Sequence, residues 1–295
     1  MTPTLEETLA ASIVLAQARK TPAPTAGELI LMPKPPAAGS EMPRVLSPSS
    51  LNTFLDCSAR WYYAKVLRLP ETRGSALGLG TAVHTALLEN FRQKIETKED
   101  LDYSGTRALF VHALCDELDV MKLQKDESAQ DLKDAGETMV RIYMERAAPM
   151  VEPAAVEELV EGRIGEVEVH GYIDVRDITG RVIDLKTAKK KPAGITAAHR
   201  LQLSTYAMLH PRASGEATIT TLTKTNTVAL YQDSATIAPE DRKLTTALYS
   251  IARDQMAAGV YAPRRSSFLC SRKHCAHWET CEGDFGGKVP GEAGE

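Results

Sequence analysis

The sequence predicts an α/β fold in which helices flank a central mixed sheet. Three observations carry this expectation. Strands are expected near 156–163, 166–176 and 181–187, with apolar residues at every second position from Val167 to Val175 and again at the start of Arg181-Val-Ile-Asp-Leu-Lys. A helical repeat near 196–210 follows, and two more strand-like segments come after it near 217–224 and 227–232. Ahead of the first strand, helical periodicity dominates. About 250 residues remain once the flexible ends are set aside, enough for one sizeable core.

In chain order, residues 1–44 read as a flexible leader and linker, because Thr21-Pro-Ala-Pro-Thr-Ala-Gly and Pro33-Lys-Pro-Pro-Ala-Ala-Gly cannot build a core. Within the leader, Leu5 to Lys20 has the pattern of a short amphipathic helix, either frayed or docked on a partner. The folded domain is expected over 45–285. It opens with a helix near 48–64, capped by Ser47 with Pro48 in the first turn, where a missing N–H costs nothing. A second helix near 77–98 puts positions 84, 87, 88 and 91 on one face, turning His84 toward the core beside Leu87, Leu88 and Phe91. One or two helices fill 104–148, with Cys115 packed as a small apolar residue. A last helix is expected near 240–259, and the Gly-rich stretch 286–295 should be an unstructured tail. No internal repeat is visible.

The alternating segment Val167 to Val175, the turn chemistry of Asp177-Ile-Thr-Gly180 and the following Arg181-Val-Ile-Asp-Leu-Lys make a hairpin. With Ile178, Thr179 and Gly180 as a three-residue loop and Gly180 left-handed, Asp174 faces Asp184, and the period of two puts Lys186 on the same side. Carboxylates brought together repel unless they share a cation, and hard divalent ions with open positions serve where the substrate is a phosphate. A neighbouring ammonium can orient water or offset phosphoryl charge. Taken alone, Asp-x-Lys recurs by chance, and a solvated strand face is its ordinary reading. His84 alone reads as a hydrogen-bonded core residue, and Gln202 with Tyr206 as one face of an amphipathic helix. His170 is a solvated or substrate-side residue on the strand of Asp174.

In this order and spacing, however, His84, Gly171-x-x-Asp174, Asp184-x-Lys186 and Gln202-x-x-x-Tyr206 together resemble the PD-(D/E)xK nuclease superfamily, in its RecB-like exonuclease branch. Leu46-Ser-Pro-Ser-Ser-Leu-Asn-Thr-Phe-Leu-Asp-Cys57 looks like the same branch, and the resemblance covers most of 45–282. It implies a restriction-endonuclease-like core and a divalent-metal-dependent DNA nuclease. The expected activity is that of an exonuclease on DNA ends or single strands in recombination, repair or phage DNA metabolism. By the same resemblance, His84, Asp174, Asp184 and the backbone carbonyl of Leu185 would hold Mg²⁺ or Mn²⁺. Lys186 would serve the attacking water or the phosphoryl charge, and Gln202 and Tyr206 would orient the strand or support Lys186. A CRISPR-adaptation-type processing nuclease is the alternative enzyme. A catalytically silent DNA-end-binding module is the alternative outside catalysis, and the intact His, Asp, Asp and Lys argue against it.

Cys270-x4-Cys275-x5-Cys281 lies near the C-terminus, and Cys57 lies in the first helix. The N-terminus has no basic segment followed by an apolar run, and no apolar stretch is long enough to span a bilayer. A reducing cytoplasm, the host's if the protein is of phage origin, makes metal ligation the better explanation of clustered cysteines. Four thiolates suit zinc or an iron-sulfur cluster, and His274 and His277 keep zinc open. AddB-type and CRISPR-associated RecB-like nucleases show a similar pattern, which implies a 4Fe-4S cluster stapling the N- and C-terminal parts. Those relatives commonly have two residues between the second and third cysteines, where this chain has four.

A formal charge of −4 speaks against indiscriminate coating of nucleic acid, so phosphate contact requires a local basic track. Lys189, Lys190 and Lys191 form one candidate and Arg264 and Arg265 another, with Arg272 and Lys273 near the latter. Trp61-Tyr62-Tyr63 should pack around the cysteine site. No Walker-type motif occurs, so any unwinding falls to a helicase partner; a recombinase or single-strand-binding protein is the other expected associate.

Overall fold

A computed structural model describes residues 43–291 apart from 126, 225 and 226. The expected leader helix at Leu5 to Lys20 lies outside the described residues. The elements, in order, are β1 (Val45–Leu46), α1 (Pro48–Asp56), α2 (Ser58–Lys65), α3 (Ser75–Thr97), α4 (Tyr103–Leu118) and α5 (Ala129–Arg146). They continue with β2 (Pro153–Ile164), β3 (Val167–Asp177), β4 (Val182–Ala188), α6 (Ala197–Leu209), β5 (Glu216–Thr223), β6 (Ala229–Thr236), α7 (Pro239–Ala257) and α8 (Trp278–Phe285). Among the described residues no helix is long and apolar enough to cross a membrane.

Ser47 caps α1 as its chemistry dictates, its hydroxyl accepting from Ser50 N at 3.1 Å. The single helix expected over 48–64 is instead two. Cys57 adopts an extended conformation (φ −156°, ψ 100°), ending α1 and beginning α2. Cys115 also differs from expectation: α4 buries only Thr106, Phe110 and Leu114, and the thiol one position beyond that stripe is exposed. Nor does packing stop at 285. Val289 is buried and its N–H donates to Glu282, while Arg272 N donates to the carbonyl of Pro290.

The sheet runs β1-β3-β4-β5-β6, with β2 on the other side of β3. β2 pairs with β3 along its length, so β1 and β4 share the opposite edge: β1 meets β3 in parallel at Glu168 and Val169, and β4 meets it antiparallel at Val175 and Arg176. The stretch between those two pairings has no strand beside it on that edge, and Asp174 lies at its end. β4 and β5 are parallel and joined through α6; β5 and β6 are antiparallel.

Helices α3–α5 cover one face, burying Val83, Leu87 and Phe91 against Val175, Ile183 and Leu185. The other face carries two clusters: Leu203 and Tyr206 of α6 against Val160, Ile173 and Ile219, and α1, α2 and α7 around Trp61, Tyr62 and Tyr249. Each fully buried side chain of this kind stabilises the fold by about 1.5–3 kcal/mol.

At Asp174 the strand pair changes the face it buries. Val160 and Ile173 point into the α6 cluster, while Val175 packs with α3 and Val156 packs against that same cluster. The register Val156↔Val175 and Glu158↔Ile173 sets Glu157 across from Asp174, and Glu157 has φ +46°. A left-handed residue turns the strand about its own axis, as a bulge does.

Candidate active site and cysteine pocket

The β3–β4 hairpin closes on the expected three-residue loop. Asp177 N donates to Arg181 O, and Gly180 has φ +83°, where a Cβ would meet Arg212 O at 2.4 Å. Continued from Val175↔Ile183, this register sets Asp174 opposite Asp184. Beyond Val175 the ladder yields to side chains: Asp174 Oδ2 accepts from Leu185 N at 2.7 Å. Gly171 has a different reason to be glycine, since a Cβ there would approach the ring of Tyr206 to 2.8 Å.

All six side chains of the expected site converge. His84 Nε2 lies 3.0 Å from Asp174 Oδ2, and Lys186 Nζ lies 2.6 Å from Asp184 Oδ2. Gln202 Nε2 donates to Asp184 Oδ1 at 2.8 Å and to Tyr206 OH at 3.0 Å. The helical spacing that looked ordinary in sequence thus aims Gln202 at a carboxylate only 1% exposed. Asp184 Oδ2 is enclosed and makes no aligned hydrogen bond, and the Lys186 ammonium is its nearest balancing charge.

The two carboxylates titrate apart. Burial and the adjacent Asp174 charge raise Asp184 to about 6, against the pull of Lys186 and His84. Burial also pushes Asp174 upward, yet the His84 hydrogen bond and charge, Lys186 and the Leu185 N–H outweigh it and hold Asp174 below the usual carboxylate range. Burial lowers His84, but Asp174 raises it further, for a net upward shift. Lys186 likewise loses to burial and gains more from Asp184 and Asp174. An enclosed carboxylate that resists ionising is what a second cation would stabilise. Among the described residues, the four cysteines included, no group of three His, Cys, Asp or Glu is arranged to hold a metal ion, and at the carboxylates His84 and Lys186 are drawn onto Asp174 and Asp184. The donor set of two carboxylates and an imidazole nonetheless suits Mg²⁺ or Mn²⁺, and the unaligned Asp184 Oδ2 fits such an ion.

Cys57, Cys270, Cys275 and Cys281 line a single pocket with Arg60, Tyr63 and Trp278. Cys57 reaches it because the break between α1 and α2 falls at that residue, and α8 carries Cys281. Burial lifts the Cys281 thiol to about 11, opposed by Arg265 and reinforced by the other three sulfurs. His274 and His277 do not line the pocket: His274 Nδ1 pairs with Ser271 and His277 Nε2 lies 3.1 Å from Glu71. Trp61, Tyr62 and Tyr63 are buried as expected, with Tyr62 stacked on Tyr261.

Lys189, Lys190 and Lys191 are exposed, and Lys191 Nζ sits 5.3 Å over the Tyr231 ring. Arg264 is outward, 3.8 Å from Asp56, whereas Arg265 turns in and donates to the carbonyls of Cys281 and Gly286. His170 is exposed. Two neighbours escaped the sequence reading. His199 lies one turn before Gln202, a spacing that could have found it, and burial and the Lys186 charge lower its pKa. Glu157 carries no local signal at all.

A family model of the PD-(D/E)XK nuclease superfamily matches residues 45–282. Among solved structures, a protein described as "Putative exonuclease" from Eubacterium rectale is similar at TM-score 0.53 and 10% identity, over 77% of this chain and 87% of that one. A second, described as SSO0001, has TM-score 0.37 and 13% identity over 84% of this chain and 90% of that one. No curated protein matches the sequence. With the match spanning the whole sheet and both carboxylates, the chain belongs to the PD-(D/E)XK nuclease superfamily.

Proposed function

We propose that this protein is a divalent-metal-dependent deoxyribonuclease of the RecB-like branch, acting as an exonuclease on DNA ends or single strands. The observation that carries the reading is the buried Asp184, whose Oδ2 lacks an aligned hydrogen bond while facing Asp174 across the hairpin. His84, Asp174, Asp184 and the Leu185 carbonyl would hold Mg²⁺ or Mn²⁺, which would supply an acidified water and offset charge on the scissile phosphate. Lys186, now held by Asp184, is released toward the water or the phosphoryl oxygens. Gln202, steadied by Tyr206, fixes the Asp184 carboxylate in one rotamer. The resting His84–Asp174 hydrogen bond keeps both side chains oriented before the ion arrives.

The four cysteines hold a 4Fe-4S cluster as a structural staple, with zinc as the alternative occupant. Support comes from a pocket lined by all four sulfurs and by neither nearby histidine. Phosphodiester hydrolysis needs no electron transfer, so the cluster's work is to tie residue 57 to the C-terminal segment. The DNA track runs by Lys189–Lys191 and Arg264.

Digestion of end-labelled single-stranded, double-stranded and circular DNA with Mg²⁺ or Mn²⁺ tests the reading. Metal-dependent shortening from ends is the expected result, and no cleavage of any DNA overturns it. Anaerobic purification with visible absorption and iron, sulfide and zinc analysis tests the staple; colourless, metal-free protein with all four cysteines freely alkylated in the folded state refutes it.

A further inference from the structure

Beyond the catalytic cluster, the same sheet face continues into residues that none of the chemistry above uses. The register Lys186↔Thr221 and Thr221↔Tyr231 sets Lys186, Thr221 and Tyr231 in one row across β4, β5 and β6. Neighbouring strands are about 4.8 Å apart, so Tyr231 stands about 10 Å from Lys186. That is close to the reach of one nucleotide from phosphate to base. Thr221 between them is small and buried, with Lys186 and Tyr231 as its more accessible flanks. Tyr231 is half-buried on the edge strand, and Lys191 holds its ammonium over the ring. His199, placed by α6 between the charges of Lys186 and Asp233, borders the row, and its Nδ1 is enclosed without a hydrogen-bond partner.

We propose that Tyr231, with Lys191 and His199 beside it, forms a subsite for the nucleotide next to the scissile phosphate, the ring of Tyr231 stacking on an unpaired base and Lys191 meeting the adjoining phosphate. This rests on the nuclease reading and specifies its substrate as a single strand at the cleavage point, since a paired base offers no free face. Stacking of a base on an aromatic ring is stronger than the contact of an exposed ammonium with that ring, so a base displaces Lys191 from Tyr231 and frees it for phosphate. Lys186 and Lys191 stand at the two ends of the row, Lys186 paired with Asp184, and Asp233 lies in the adjacent row beside Ile219.

The test is fluorescence anisotropy of the full chain in EDTA with labelled single-stranded oligonucleotides carrying one abasic position moved along the strand. Wild type should lose about 5- to 100-fold in affinity at one position and little elsewhere. Tyr231→Ala should bind the intact strand with a similar loss and show no further penalty at that position, while Tyr231→Phe should behave as wild type. Lys191→Ala should reduce the slope of log K against log salt by about 0.7, one single-strand phosphate. Circular dichroism of each variant separates misfolding from lost contact. Tyr231→Ala that binds as wild type, or that keeps the full abasic penalty, overturns the subsite. Tyr231-dependent binding without cleavage by wild type would sink the nuclease reading alone; cleavage with Tyr231-independent binding would sink the subsite alone.

Discussion

Replacing Asp184 by asparagine keeps shape and removes charge, and its effect on stability should depend on pH in a defined direction. In the metal-free protein Asp184 titrates near 6 when folded, against about 3.9 for an unfolded aspartate. Between those values the folded state holds a proton that the unfolded state has lost, so stability contributed by this residue falls as pH rises from about 4 to 6 and stays low above that. Two pKa units correspond to about 3 kcal/mol. The group is almost wholly enclosed, so solvent screening does not reduce this, but Lys186 loses its nearest anion in the variant and returns part of it. Asp184→Asn should therefore be more stable than wild type in EDTA by about 1–3 kcal/mol at pH 8, and the gain should vanish toward pH 4. Urea unfolding of both proteins at pH 4, 5, 6 and 8 measures the difference, in which titrating groups remote from Asp184 cancel. Adding Mn²⁺ at pH 8 should stabilise wild type and leave the variant unmoved. A stability difference that does not change with pH, or Mn²⁺ stabilising both proteins equally, refutes the reasoning.

Lys186→Met should lower cleavage by orders of magnitude while DNA affinity in EDTA changes little, because the ammonium acts on the transition state; unchanged turnover in a single-turnover assay would remove it from the chemistry. Gly171→Ala should cost about 1–3 kcal/mol, since its methyl would press on the Tyr206 ring from 2.8 Å, and thermal unfolding would show it. Glu157→Gly should stabilise by about 1 kcal/mol through relief of a left-handed backbone, a sign opposite to that of most glycine substitutions. Cys57→Ser should strip the metal content and loosen both 57–65 and 270–289 in hydrogen exchange, whereas Cys115→Ala, on the exposed side of α4, should be neutral in both measurements.

The hairpin was legible because its information is local: Gly180 fixes the loop, the loop fixes the register, and the register brings Asp174 to Asp184. Gln202 and Tyr206 followed from helical spacing. What the sequence hid was set by tertiary contact. Nothing between Asp56 and Ser58 breaks a helix, yet Cys57 is extended, and it lines a pocket with Cys270, Cys275 and Cys281, more than two hundred residues on. Residues 286–291 looked like a polar tail, and Val289 alone gives them a buried anchor. The helical pattern around Cys115 was read correctly but rotated: α4 presents a stripe of only three buried residues, too narrow to include it. β1 has two residues, below any periodicity, and exists only through its pairing with β3.

The turn at Glu157 gives β3 the character of an axle between two independently packed halves. Val167, Val169 and Ile173 pack on the face of α1, α2, α6 and α7 and Val175 on the face of α3–α5, so either half can be repacked, in evolution or by design, without disturbing the alternation of its neighbour. Lengthening or shortening the chain there is another matter. One residue gained or lost between Ile173 and Val175 would turn a whole core-facing set to the wrong side and carry the Asp174 carboxylate away from His84 in the same motion. Tolerance to insertion should therefore be low directly opposite the left-handed Glu157, the reverse of the usual rule that irregular backbone is permissive.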